Sequence, residues 1–228
     1  MQQATSSQPL ASADNAPLLQ LDKIAAATVT RDPYPYLVAH GVLSQELMQT
    51  LQKDFPAIEK PGFFPLGTMK RVGLFDKLTK ELQSPELAAL LTEKLQVELR
   101  DKPSMITVRK WSAAKDGRIH NDGEAKIVTS LLYLNEGWPE GEDGGRFRVL
   151  TSDRGFEDTA AEISPLYGTF ITFVRTENSW HGHKPFAGER RVIQTTWLRS
   201  WEDLERKEKR GRLSLFLKKV LPFSNNGY

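Results

Sequence analysis

Short β-rich segments preceded by helices predict an α+β chain with a mainly β core. Five stretches from Met105 onward carry the prediction: "MITVRKW", "KIVTSLLYL", "RFRVL", "GTFITFV" and "RVIQTTWL". Each is short, rich in β-branched and aromatic residues, and set off by Gly, Asp, Asn and Pro. No long helical pattern lies between them, which favours an antiparallel sandwich or barrel over a parallel α/β sheet.

The elements follow in order. Residues 1–20, "MQQATSSQPLASADNAPLLQ", lack the basic start and continuous apolar block of a signal peptide and read as a disordered tail. "PYPYLVAHGVLS" reads as a strand and turn, and "SQELMQTLQKDF" as a helix with Ser44 as N-cap. "SPELAALLTEKLQVEL" is the clearest helix. Ser84 caps it, Pro85 sits in the first turn where its missing N–H costs nothing, and Leu87, Leu90, Leu91 and Leu95 form an apolar stripe.

One domain is expected over residues 21–200, its β-core beginning at about residue 105. Residues 201–228 follow as a basic amphipathic C-terminal helix and tail. Leu213, Phe216, Leu217, Val220 and Leu221 share a face there, ringed by Arg210, Arg212, Lys218 and Lys219. Such a helix can dock on the core or on a second subunit, or make peripheral contact with an anionic membrane.

Composition narrows the function. The chain has 228 residues, enough for one sizeable core, and 31 Lys and Arg against 29 Asp and Glu. A formal charge of +2 predicts no nucleic-acid partner. Absence of cysteine removes disulfides, thiolate metal sites and thiol nucleophiles, and fits a cytoplasmic location. No apolar run reaches the ~20 residues that span a bilayer.

Chemistry gathers on the histidines. The four are His40, His120, His181 and His183. His120 and Asp122 stand two apart at the head of a β-like run, so on a strand their side chains share one side. One more nitrogen, from His181 or His183, would complete two histidines and a carboxylate. That set leaves positions of an octahedral metal open, as non-haem Fe(II) oxygenases require.

An ordered set of motifs surrounds these residues: "HND", "YLN", "GWPEGEDGG", "PLYGTFITF", "WHGHKP" and "GERRVIQTTW". In this order they resemble the Fe(II)- and 2-oxoglutarate-dependent oxygenases, prolyl-4-hydroxylase-like branch. The likeness runs over most of residues 31–198. It implies a double-stranded β-helix (jelly roll, cupin-like) braced by N-terminal helices, and it implies Fe(II), 2-oxoglutarate and O2. His120, Asp122 and His181 would be the catalytic iron ligands. His181 is preferred to His183 because Pro185 lies four residues after it, as in the family pattern.

For the distal carboxylate of 2-oxoglutarate the resemblance implies a basic residue about ten positions past the distal histidine and six before a tryptophan. Arg191 is the expectation, with Arg190 pointing to the other strand face. Tyr133 would hydrogen-bond the same carboxylate, and Thr129, four residues earlier on that face, would line the pocket. Trp111 lies near where relatives place an aromatic over the co-substrate.

The implied reaction is hydroxylation of an unidentified organic substrate, with 2-oxoglutarate decarboxylated to succinate and CO2; desaturation and demethylation use the same chemistry. Members that halogenate lack the carboxylate that Asp122 would supply. Two alternatives are a non-catalytic jelly-roll metal-binding module and a metal-dependent hydrolase. The first has no use for a carboxylate clamp, and the second lacks an obvious general base.

Overall fold

The computed structural model describes residues 16–220, with side chains through Gly211. Residues 1–15 and 221–228 lie outside the described residues, as do the side chains of the apolar stripe Leu213, Phe216, Leu217, Val220 and Leu221 expected near the C-terminus.

Among the described residues, four α-helices precede residue 100: α1 (Leu21–Ala26), α2 (Met48–Asp54), α3 (Gly73–Glu81) and α4 (Pro85–Leu95). α4 forms as its sequence dictates. Ser84 accepts a hydrogen bond from the Leu87 N–H at 3.2 Å, Pro85 occupies the first turn, and Gln96 closes the helix in the left-handed conformation. Leu87, Leu91 and Leu95 are buried and Leu90 partly so.

The region around Ser44 differs from expectation. A 3-10 turn over Gln45–Leu47 precedes α2, and the Ser44 side chain caps nothing. Its carbonyl instead accepts from the Tyr167 hydroxyl at 3.0 Å. Residues inside the expected tail of residues 1–20 are also packed. Leu18 and Leu19 are buried, and their backbone N–H groups donate to the Glu81 carboxylate. Two apolar residues flanked by Ala, Pro and Gln give too little periodicity to mark an ordered segment from sequence.

Among the described residues there are ten strands: β1 (Val29–Thr30), β2 (Tyr36–Ala39), β3 (Phe64–Pro65), β4 (Ser104–Ser112), β5 (Lys126–Tyr133), β6 (Phe147–Leu150), β7 (Thr159–Ile163), β8 (Phe170–Val174), β9 (His181–Gly182) and β10 (Gly188–Leu198). They form a seven-stranded sheet, β1-β2-β8-β5-β10-β4-β3, and a three-stranded sheet, β7-β6-β9. Each of these pairings is antiparallel. This is the expected mainly β core, in the double-stranded β-helix arrangement.

The large sheet is buried on both faces. Its outer face packs on the helices through Val108, Val128, Leu132, Phe170, Ile193 and Trp197. Its inner face meets the small sheet through Leu131, Tyr133, Phe173 and Val192, against Phe147, Val149 and Ile163. The site opens between the sheets.

The C-terminal helix α5 (Trp201–Val220) starts straight after β10, and its first part lies against β3 and β10. Among the described residues no helix is long and apolar enough to cross a membrane.

Candidate metal and co-substrate site

His120 stands in the loop before β5, and His181 opens β9. The two segments meet in an isolated antiparallel bridge: His120 N–H donates to the His181 carbonyl at 3.0 Å, and His181 N–H returns to His120 at 3.1 Å. That close approach requires Gly117. Its φ is +81°, and a Cβ there would fall 2.2 Å from the His183 ring, so only glycine fits.

Backbone acceptors orient both imidazoles. His120 Nδ1 lies 2.8 Å from the Arg118 carbonyl and His181 Nδ1 lies 2.8 Å from the Ser179 carbonyl. A carbonyl can only accept, so each Nδ1 carries the proton and each Nε2 keeps its lone pair for a metal. Asp122 completes the group: one ligand atom from each of His120, Asp122 and His181 lies within 4.8 Å of the others. Thr129 Oγ1 donates to Asp122 Oδ2 at 2.6 Å, and Arg175 Nε donates to the Asp122 carbonyl at 3.1 Å.

Electrostatics favour the ligating forms of His181 and Asp122. Burial lowers His181 to about 4, against the opposing pull of Asp122, so its imidazole is neutral at neutral pH. Burial alone would raise Asp122, but Lys126, His181 and Thr129 outweigh it and hold the carboxyl at about 2. Lys126 Nζ sits 2.5 Å from Asp122 Oδ1. A buried carboxylate needs a cation, and here Lys126 supplies it.

A cavity of about 310 Å³ opens in front of this group. Phe63, Leu131, Phe147 and Phe173 form its apolar wall. Its deep polar end is cationic. Arg190 is buried, donates from Nε to the Gly145 carbonyl at 2.7 Å, and reaches Tyr133 Oη at 3.1 Å. Arg109, also buried, stands nearby with its Nε unpartnered, and burial with the adjacent Arg190 lowers it to about 10. His183 Nε2 is a second buried polar atom without a partner; the ring's Nδ1 donates to the Lys184 carbonyl at 2.9 Å, so Nε2 is an acceptor. The two buried guanidinium groups, Arg109 and Arg190, suit an anion with several acceptor oxygens, as the two carboxylates of 2-oxoglutarate provide.

The structure departs from the expected residues at the arginine. Arg191 pairs with Glu189 at 2.6 Å and stands over Phe55 on the helix side of the sheet, away from the cavity lining. Arg190 faces the cavity. Strand alternation holds through Arg190, Val192 and Gln194, but the inward face is the one that excludes Trp197, which sits in the helix-side core. Because both sheet faces are apolar, alternation alone could not tell which one lines the site.

Thr129 lines the cavity. Tyr133 stands at its edge through Arg190, and His183 lines it as a neighbour of His181. Trp111 is not among the lining residues; Arg109, two positions earlier on β4, takes the inward place. Arg109 could have been found by stepping two residues along the strand from Trp111.

Residues 108–199 match the family model of the 2OG-Fe(II) oxygenase superfamily. The matched segment, which holds most of the β-core, is similar to the 2OG-Fe(II) oxygenases, an oxidoreductase class that depends on Fe(II), 2-oxoglutarate and O2. The fold is also that of solved prolyl 4-hydroxylases. A Pseudomonas putida prolyl-4-hydroxylase superposes with a TM-score of 0.53 at 18% identity, over 79% of this chain and 91% of that one. A prolyl 4-hydroxylase from Phytophthora capsici gives 0.52 at 21% identity, over 78% and 68%. A Trichoplax adhaerens prolyl hydroxylase, solved with a hypoxia inducible factor peptide fragment, gives 0.52 at 14%, over 78% and 86%. No curated protein matches the chain.

Proposed function

We propose that the chain is a dioxygenase that hydroxylates an organic substrate while converting 2-oxoglutarate to succinate and CO2. His120, Asp122 and His181 hold Fe(II) in this reading. Arg190, with Tyr133, holds the distal carboxylate of the co-substrate. The observation that carries the reading is the meeting of these two groups in one cavity: a two-histidine, one-carboxylate cluster faces a buried arginine–tyrosine pair.

Bound Fe(II), with 2-oxoglutarate and O2, supplies the oxidising chemistry. The protein's part is positional. The Arg118 and Ser179 carbonyls fix the imidazole tautomers, and Thr129 orients the carboxylate. Arg190 is preorganised by the Gly145 carbonyl and Tyr133, so little side-chain entropy is lost when it meets a carboxylate. Phe147 and Phe173 pack on the His181 ring, at 5.5 and 4.5 Å between centroids, and shield the metal position from water. Their apolar wall also gives a C–H bond a dry place to lie.

Aerobic incubation with Fe(II) and 2-oxoglutarate tests the reading through succinate formation. The wild type should form succinate, and Asp122→Ala and His181→Ala should abolish it. A folded wild type that binds the metal and turns over no 2-oxoglutarate, with or without extracts as a substrate source, would replace the reading with a non-catalytic metal-binding module.

A further inference from the structure

A second cavity, also of about 310 Å³, continues from the first and shares Phe63, Lys126 and Gln194 with it. It lies between the first part of α5 and the β3, β4 and β10 surface. A Cβ on Gly211 would come 2.7 Å from Pro65, so glycine lets the helix pass this close to β3. Phe63, Pro65 and Met105 give the groove apolar walls.

Its charged residues are all cationic: Lys126, Lys207 and Arg210. Among the described residues no carboxylate lies within ion-pair distance of Lys207 or Arg210, whereas their helix neighbours Arg206 and Lys209 pair with Asp203 and Glu205. The carboxylates that act on the cluster do so from its edges, Asp122 on Lys126 and both Asp122 and Asp203 on Lys207. Burial and the neighbouring Lys126 and Arg210 lower Lys207, the mark of a cation kept beside like charges. Thr107, on the groove floor, has a buried Oγ1 with no hydrogen-bond partner. A buried hydroxyl left unpaired beside three crowded cations has no stabilising role in the free protein.

We propose that this groove is the substrate subsite, and that the substrate is an organic acid whose carboxylate or phosphate is held by Lys207, Arg210 and Thr107. Lys126 spans the two cavities and joins the anion end to the metal end. The apolar body then runs past Phe63 toward Leu131 and Phe173, where its C–H bonds face His120, Asp122 and His181. This inference rests on the oxygenase reading of the first cavity for the word substrate, but not for the anion site itself.

The test is calorimetric titration of the full chain, with Fe(II) and saturating 2-oxoglutarate under anaerobic conditions so that the first cavity is filled. Octanoate, octyl phosphate, octanol and octylamine are the probes. One or both anions should bind, and the stronger identifies the headgroup; octanol and octylamine should bind at least roughly ten-fold more weakly. Lys207→Ala/Arg210→Ala should lose a similar factor for the anion, Thr107→Val a smaller one, and Lys209→Ala none. Equal binding of octanol and the anions, or anion binding unchanged in both the double variant and Thr107→Val, would overturn the proposal. Repeating the titration without iron and 2-oxoglutarate separates the two readings, because the groove's anion affinity should persist in the metal-free protein.

Discussion

At the scale of single residues, the division of labour between two adjacent arginines is the sharpest consequence of the structure. Arg190 is buried at the cationic end of the cavity; Arg191 is engaged by Glu189 on the opposite face. Arg190→Ala should weaken 2-oxoglutarate binding by roughly ten- to a hundred-fold, the cost of a charge-assisted hydrogen bond in a buried site. Arg191→Ala should change it little; calorimetry with the metal-loaded protein reads both. His183 gives a pH signature. Burial first, then the nearby Arg190, lowers it from 6.5 to about 3 in the folded chain. The unfolded chain therefore takes up this proton first, so its contribution to stability is full above pH 6.5 and is lost as pH falls toward 3. Melting temperatures of the metal-free protein should drop over that window, and His183→Asn should flatten the drop. The identities at this scale were legible in the sequence, because His120, Asp122 and the "WHGHKP" run stand out by type and order. The side on which each arginine falls was not, since it depends on which of two apolar sheet faces turns inward.

At the scale of elements, the site depends on one close crossing, where the loop before β5 meets β9. Gly117 holds that crossing open in a left-handed conformation with the His183 ring directly against it. Gly117→Ala adds both backbone strain and a clash, and should destabilise the fold by about 1–3 kcal/mol. It should also loosen the His120–His181 bridge, so that metal affinity falls with stability; denaturant melts and metal titration of one sample check both. α4 supports the sheet from outside through Leu91, which is fully buried. Leu91→Ala should cost about 2–5 kcal/mol without altering metal affinity in the folded fraction. α4 was readable from its cap, its proline and its leucine spacing. β9 was not readable as a strand: it has two residues, and its conformation is imposed by pairing with β6 and by the bridge to His120 rather than by local propensity. β7, with Ala and Glu among its five residues, is likewise a strand by virtue of its partner β6.

At the scale of the whole molecule, the large sheet separates two apolar regions with different tasks. The helix-side core, from Leu18 to Trp197, carries stability, while the smaller core between the sheets surrounds the chemistry. A bound metal would replace Lys126 as the cation satisfying Asp122, so metal and fold are linked. At a hundred-fold excess over its dissociation constant the metal should add about 2.7 kcal/mol, seen as a higher melting temperature in the wild type and lost in Asp122→Ala. The most direct experiment is an anaerobic absorbance measurement of the metal-free protein after adding Fe(II) and then 2-oxoglutarate. A visible metal-to-ligand charge-transfer band should appear only with both present. It should be lost in His181→Ala, weakened in Arg190→Ala and retained in Arg191→Ala. A folded protein that binds Fe(II) yet shows no band at saturating 2-oxoglutarate would contradict the assignment of this cavity to both ligands.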